Sequence, residues 1–437
     1  MSQTHRLTPQ DAAGVSPEPA VMLVRRLGPG LITGAADDDP SGIATYSQAG
    51  AQFGINMLWT VALTLPLMTA IQAISARIGR VTGQGLAISL EKVLPRPVVA
   101  GLVLLLLCAN IFNIGADLSA MGAAARLVTG WDARALTLAF AAGSLAIQVL
   151  VPYHRYVRLL KWLTMALFAY VGVVFTVQID WAQVAARTVL PHLALDHAAL
   201  LMVVAIFGTT ISPYLFFWEA SEEVEDEEAS GAGSLLAWPA PARREFARIA
   251  LDNGLGMGLS NLIAFFIILT TAVTLHTHGV RDIQTAEQAA SALRPIAGDL
   301  AFLLFSLGVV GTGLLAVPVL AGSAAYAVSD FFGWPRGLEL KPGAAVGFYG
   351  VIAAAVVLGL SVRALGLDPM RALFWSAVVN GVISVPIMGA MMLVATRKAI
   401  MGPFTTGRLT TLLGWAATGA MALAVGGMLL SLRTAAG

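Results

Sequence analysis

Three adjacent carboxylates, Asp37, Asp38 and Asp39, stand directly before Pro40 in GLITGAADDDPSGIATYSQAG, Gly30 to Gly50, a segment with apolar flanks. A carboxylate in such surroundings is costly unless a cation, a proton or hydrogen-bond donors offset it. Ser41 and Thr45 add hydroxyls just downstream. A second apolar segment, VVAIFGTTISPYLFFW, carries Thr209, Thr210 and Ser212 before Pro213. Proline lacks an N–H and clashes with the carbonyl four residues back, so Pro40 should free the carbonyl of Ala36 and Pro213 that of Thr209. Carboxylate, carbonyl, hydroxyl and water oxygens together suit a hard divalent cation such as Mg2+, Ca2+ or Mn2+. On a helix the aspartates would point about 100° apart per step, so one at most can face a given spot. Nor can all three stay ionised without a cation, because like charges oppose one another's ionisation. Asp39 is the expected ligand. Asp37 and Asp38 have two readings, a proton-carrying or vestibule pair and caps of the half-helix that follows.

The elements that must position these groups are membrane spans. Of 437 residues, 57% are hydrophobic and 12% charged, against about 25% charged in an ordinary soluble domain. Hydropathy gives eleven spans, near 28–53, 56–77, 98–125, 135–152, 159–178, 199–219, 252–275, 300–325, 344–362, 373–395 and 410–431. The segment Met1 to Ala20 is polar and is not read as a secretory signal. With a cytoplasmic N-terminus, 18 of the 26 basic residues fall on the inner side, among them Arg6, Arg25, Arg26, Arg155, Arg158 and Lys161. That asymmetry predicts a multi-pass protein of the cell membrane with its N-terminus in the cytoplasm. The first and sixth spans are both interrupted, five spans apart, which points to a transporter of inverted repeats with its substrate between two unwound segments.

Several stretches resemble the Nramp family of proton-coupled divalent metal transporters. They are GPGLITGAADDDPSGIATYSQAGAQFG at the first span, ARIGRVTGQGLA (76–87), ADLSAMGAAARLVTG (116–130), VLAGSAAYAVSDFFG (319–333) and ATRKAIMG (395–402). The resemblance implies an all-α polytopic membrane protein with the LeuT-like inverted-repeat (5+5) fold. A disordered cytoplasmic tail over 1–22, five-helix repeats over 23–180 and 198–396, and an added helix over 410–432 are expected. Family members hold metal through the Asp and Asn of Asp-Pro-Gly-Asn, the Met of Met-Pro-His, and backbone carbonyls at both breaks. On this chain those positions are Asp39, Gly42, Ser212 and the carbonyls of Ala36 and Thr209. The Asn and the Met are thus replaced. Loss of the one soft ligand favours a harder ion such as Mg2+, or weaker discrimination among ions.

The family's proton route also has a counterpart in part. Asp117 matches its aspartate on the third span, but Ala120 stands at the glutamate position, Tyr214 at the histidine, and the ninth span, AAVGFYGVIAAAVVLGL, has no arginine. Asp117 is either an intramembrane functional acid that needs a partner or proton, or a carboxylate bonded into close helix packing. The run WEASEEVEDEE (218–228) holds seven acids. It reads as a solvated surface or as a vestibule that concentrates cations, with Glu219 its member nearest the apolar span. His276 and His278 read as loop surface, and Asn110, Asn113 and Asn380 as groups that knit helices together. Asn380 could also line the cavity.

These readings predict a secondary transporter of divalent metal cations working by alternating access, with the metal as substrate rather than cofactor and a proton as candidate co-substrate. The alternative keeps the fold and changes the cargo to a non-metal solute or another ion. An enzyme is not expected, since no nucleophile and base arrangement or nucleotide motif is present. The expected partners are the ion and the lipid bilayer, without nucleic acid, and the chain is expected to be a monomer or weak oligomer. The lone Cys108 allows no internal disulfide.

Overall fold

Aspartate side chains that accept backbone N–H groups start four of the helices named here, and glycines in left-handed conformation end four others. Asp39 caps α1 (Pro40–Phe53) by accepting from Gly42 N, and Pro40 takes the first helical position, where no intrahelical N–H is needed. α2 (Leu58–Thr82) ends on Gly83 and α3 (Arg96–Thr129) on Gly130, at φ 62° and 71°. Asp132 caps α4 (Ala133–Leu150), and α5 (Phe168–Val174) is short. Asp196 caps α6 (His197–Thr210); α7 (Pro213–Ser230) restarts on Pro213 and stops at Gly231. There follow α8 (Ala242–Thr274), α9 (Ala301–Phe332), α10 (Val346–Ser361), α11 (Pro369–Thr396), capped by Asp368, and α12 (Arg408–Ala435). The computed structural model describes residues 33–34, 36–151, 165–191, 196–362 and 366–435, and no strand occurs among them.

Eight helical runs among the described residues are long and apolar enough to cross a membrane. One of them, Pro40–Thr82, holds the first two expected spans, and His197–Ser230 is the interrupted sixth. Shorter apolar helices, Met165–Val174 and Val346–Ser361, stand where the fifth and ninth spans were expected. The tail over 1–22, the start of the first span and the connection carrying Arg155, Arg158 and Lys161 lie outside the described residues.

Both breaks fall where proline demands them. Helical backbone at Ala36 and Asp37 lapses at Asp38 and Asp39 before α1 resumes, and α6 stops at Thr210 before α7 begins. α1 packs on α8 and α11, α6 on α11, α7 on α2 and α9, and α3 on α9 and α11, so the two breaks lie inside the bundle. Two glycines set how closely the broken segments approach their neighbours. A Cβ at Gly34 would overlap the backbone of Gly256, and one at Gly208 would overlap Ala377 O and Gly381. Small residues allow such backbone contact, which is how helices pack where no hydrophobic effect drives them together.

Candidate functional site

Asp39 is fully enclosed and strongly bonded. Its Oδ1 accepts from Gly42 N at 2.7 Å and Ser41 Oγ at 2.6 Å, and its Oδ2 accepts from Asn113 Nδ2 at 3.1 Å. It is therefore both the cap of α1 and the carboxylate at the break. That decides one open question, since neither Asp37 nor Asp38 is the cap. Both turn instead to α8, where Ser260 Oγ lies 2.6 Å from Asp37 Oδ2 and 3.0 Å from Asp38 Oδ1. Gly42 supports Asp39 with its N–H and brings no side-chain oxygen.

The two breaks meet around Asp39. Ser41 Oγ is 3.4 Å from Thr209 Oγ1, and the Tyr46 hydroxyl is 2.9 Å from Thr210 Oγ1. The carbonyls freed by proline are both occupied by hydroxyls. Tyr214 donates to Ala36 O at 3.2 Å, which ties the second break to the first. Ser212 Oγ donates to Thr209 O at 2.8 Å and to Gly208 O at 2.7 Å. Ser384 of α11 donates in turn to Ile211 O at 2.8 Å. Buried acceptors without water need such donors.

The third helix contributes more than expected. Asn110 knits α3 to α9 through Leu320 O at 2.9 Å and Ser323 Oγ at 2.8 Å. Asn113 likewise joins two helices, donating from α3 to the Asp39 cap of α1, and its Oδ1 has no hydrogen-bond partner among the described residues. Asp117 follows one turn later, fully buried, with both carboxylate oxygens unpartnered among the described residues. No described residue bonds it into the helix packing. The spacing of four residues between Asn113 and Asp117 puts them on one helix face, a signal the sequence carried. Asn380, on α11, is buried with both ends of its amide unpartnered.

The acidic run is not a solvated surface throughout. Glu219, Glu223 and Glu227, one turn apart each, face the interior of the bundle. Glu219 accepts from Thr33 Oγ1 at 2.5 Å and Asn253 Nδ2 at 3.2 Å. Arg248 holds Glu223 at 2.5 Å and Glu245 at 3.2 Å, while Arg80 lies 3.4 Å from Glu227 and from Glu245. Glu225 accepts from Tyr326 and from Leu338 N. These pairs close one end of the bundle. Toward the other end a cleft of about 270 Å³ opens between α1, α6 and α11, lined by Gln48, Gln52, Met202 and Arg371 among others. His276 lies at that end, its Nδ1 2.8 Å from Ala51 O. Among the described residues, no three His, Cys, Asp or Glu side chains converge as a metal cluster.

A family model described as natural resistance-associated macrophage protein-like matches residues 30–431. The divalent metal cation transporter MntH of Verminephrobacter eiseniae is 29% identical over 385 residues, 82% of either chain. That of Deinococcus radiodurans is 27% identical over 405 residues, 89% of this chain and 86% of its own. Among solved structures, a manganese transporter of Eremococcus coleocola in complex with an aromatic bis-isothiourea compound superposes with a TM-score of 0.72 at 17% identity, over 96% of this chain and 88% of its own. Mhp1, a nucleobase-cation-symport-1 family transporter, does so with a TM-score of 0.51 at 15% identity, over 93% of either chain. At such identities the likeness concerns the fold, and it bears out the all-α, LeuT-like architecture.

Proposed function

The chain belongs to the Nramp family, and on that premise we propose that it carries divalent metal cations across the membrane by alternating access, with Asp39 at the centre of the cation site. One observation carries the reading. A buried carboxylate stands where two proline-broken helices meet, with Ser41 and Thr209 in contact across the gap and Tyr214 spanning it to Ala36 O. Intramembrane acids beside unwound backbone mark ion pathways.

The finer features follow from the same residues. The donors at the breaks are all oxygen, with Ser212 where the resemblance places a thioether, so the ion is a hard one such as Mg2+, or the site discriminates weakly. Asp37 and Asp38, bonded to Ser260, and Glu219, bonded to Asn253 on the same helix, support a role as an inner vestibule once the bundle opens. The repeats over 23–180 and 198–396 move against each other, with 410–432 outside them and the N-terminus in the cytoplasm. Ala120 and Tyr214, together with a ninth span lacking arginine, leave the family's proton route incomplete, so transport runs down the cation gradient.

Uptake of Mn2+ and Mg2+ into proteoliposomes tests the reading. Wild type takes up the ion and Asp39→Ala does not. Undiminished uptake by Asp39→Ala overturns the site, and a wild type that neither binds nor moves Mg2+, Mn2+ or Ca2+ overturns the cargo in favour of a different solute.

A further inference from the structure

Beside Asp37 Oδ1 and Thr45 Oγ1 on the first broken segment, the buried oxygens near Asp39 that have no hydrogen-bond partner among the described residues lie on α3. We propose that Asn113 and Asp117 coordinate the divalent cation held by Asp39, so that the shell is completed from α3. This rests on the divalent-cation reading above.

Three observations converge. First, the position that would bring an amide from α1 is Gly42, and a Cβ there would stand 3.3 Å from both Thr209 Oγ1 and Tyr46 Cε2. A side chain there requires Thr209 and Tyr46 to give by a few tenths of an ångström. Asn113 brings an amide to the same carboxylate from the opposite side, with its Nδ2 3.1 Å from Asp39 Oδ2. Its Oδ1 is buried and unpartnered. Rotation of the terminal amide, a broad and soft torsion, exchanges donor for acceptor at that point. Second, Asp117 is fully buried one helical turn from Asn113, and neither of its carboxylate oxygens is bonded among the described residues. A carboxylate that only braced packing would be satisfied by donors. Third, among the described residues no ion pair reaches Asp39 or Asp117. Asp37 and Asp38 likewise have no ion pair among the described residues, and a divalent ion supplies counter-charge that this buried acidic group lacks.

The Ala36 and Thr209 carbonyls are differently placed, since each is already bonded by a hydroxyl. Each keeps a second lone pair, so these carbonyls and water fill the remaining positions around an ion that takes six or more oxygens.

Calorimetry of the full-length protein in detergent with Mn2+ and Mg2+, at one fixed pH, tests the assignment. Asn113→Ala and Asp117→Asn are each expected to raise Kd by about tenfold or more, and Asn113→Asp, which adds a charge at the same place, to lower it. Asp117→Asn and Asn113→Asp are close in shape to the native side chains. They decide the matter if Asn113→Ala fails to give a monodisperse protein. Wild-type affinity in Asp117→Asn and Asn113→Asp, alongside lost binding in Asp39→Ala, overturns the proposal while leaving the cation reading intact. An Asp117→Asn variant whose uptake changes with pH but whose Kd at fixed pH does not also overturns it. No binding by wild type itself refutes the underlying reading instead.

Discussion

The ion pairs at the closed end make a quantitative demand on stability. Arg248 Nη2 lies 2.5 Å from Glu223 Oε2, with the Glu223 side chain 1% exposed and that of Arg248 19% exposed. In Arg248→Met the Glu223 carboxylate stays buried and loses its cation, as Glu245 loses a partner at 3.2 Å. Breaking a buried pair from one side costs about 3–5 kcal/mol. Because water reaches part of Arg248, the lower figure applies, about 3 kcal/mol. Glu223→Gln removes the stranded charge, so Arg248→Met/Glu223→Gln should recover most of that loss. A double-mutant cycle on reversible unfolding in mixed detergent micelles measures the coupling. A coupling below about 1 kcal/mol, the range of exposed pairs, would refute the claim that this end is sealed by desolvated charges. If the pair also holds that end shut during transport, 3 kcal/mol corresponds to roughly a 150-fold shift in the closed-to-open ratio. Arg248→Met would then raise the accessibility of a cysteine placed at Ser221, which is buried in the closed form.

Two further outcomes follow from the site. Gly42→Asn, which restores the amide of the resembled motif, should weaken Mn2+ binding and lower stability by about 1–3 kcal/mol, as overpacking does. The new Cβ meets Thr209 Oγ1 and Tyr46 at 3.3 Å; tighter binding measured by calorimetry would contradict that geometry. Cation-driven uptake in proteoliposomes should be unchanged by an imposed proton gradient of either sign, because Ala120 and Tyr214 interrupt the route. A rate that rises with an inward proton gradient would show that another path carries protons.

The sequence revealed the parts of this architecture that proline and hydropathy control. Pro40 and Pro213 place both breaks to the residue, since a missing N–H acts locally and does not depend on what surrounds it. Asp39 as the acid at the break was legible for the same reason. Which donors fill the freed carbonyls was not legible, because that depends on side chains brought together across the bundle, as Tyr214 is to Ala36 from 178 positions away. The acidic run shows the other limit. Charge composition suggests a solvated strip, yet Glu219, Glu223 and Glu227 recur at helical spacing and find Asn253, Arg248 and Arg80 on neighbouring helices. Asn113 and Asn110 both bridge helices, as an asparagine within a span commonly does, but that Asn113 does so at Asp39 depends on the path of α3 and was not legible.

The replacements around the site answer a single physical requirement. Each proline leaves a carbonyl at membrane depth that must be bonded by something. With Tyr214 and Ser212 in place, both carbonyls are bonded by hydroxyls when no cation is bound. A neutral bond of this kind contributes about 1 kcal/mol net, so an ion that displaces both hydroxyls must recover about 2 kcal/mol before the carbonyls add affinity. A cation that sheds its water easily gains from that exchange. Mg2+ dehydrates reluctantly and keeps several waters, so it gains little from bare carbonyls and much from carboxylates that can hold it or its waters. Asp39 and Asp117, with no counter-charge between them, supply that environment. On the proposed reading, the same two hydroxyls that quiet the broken backbone would tilt the site toward an ion bound through charge rather than through a soft or fully dehydrated shell.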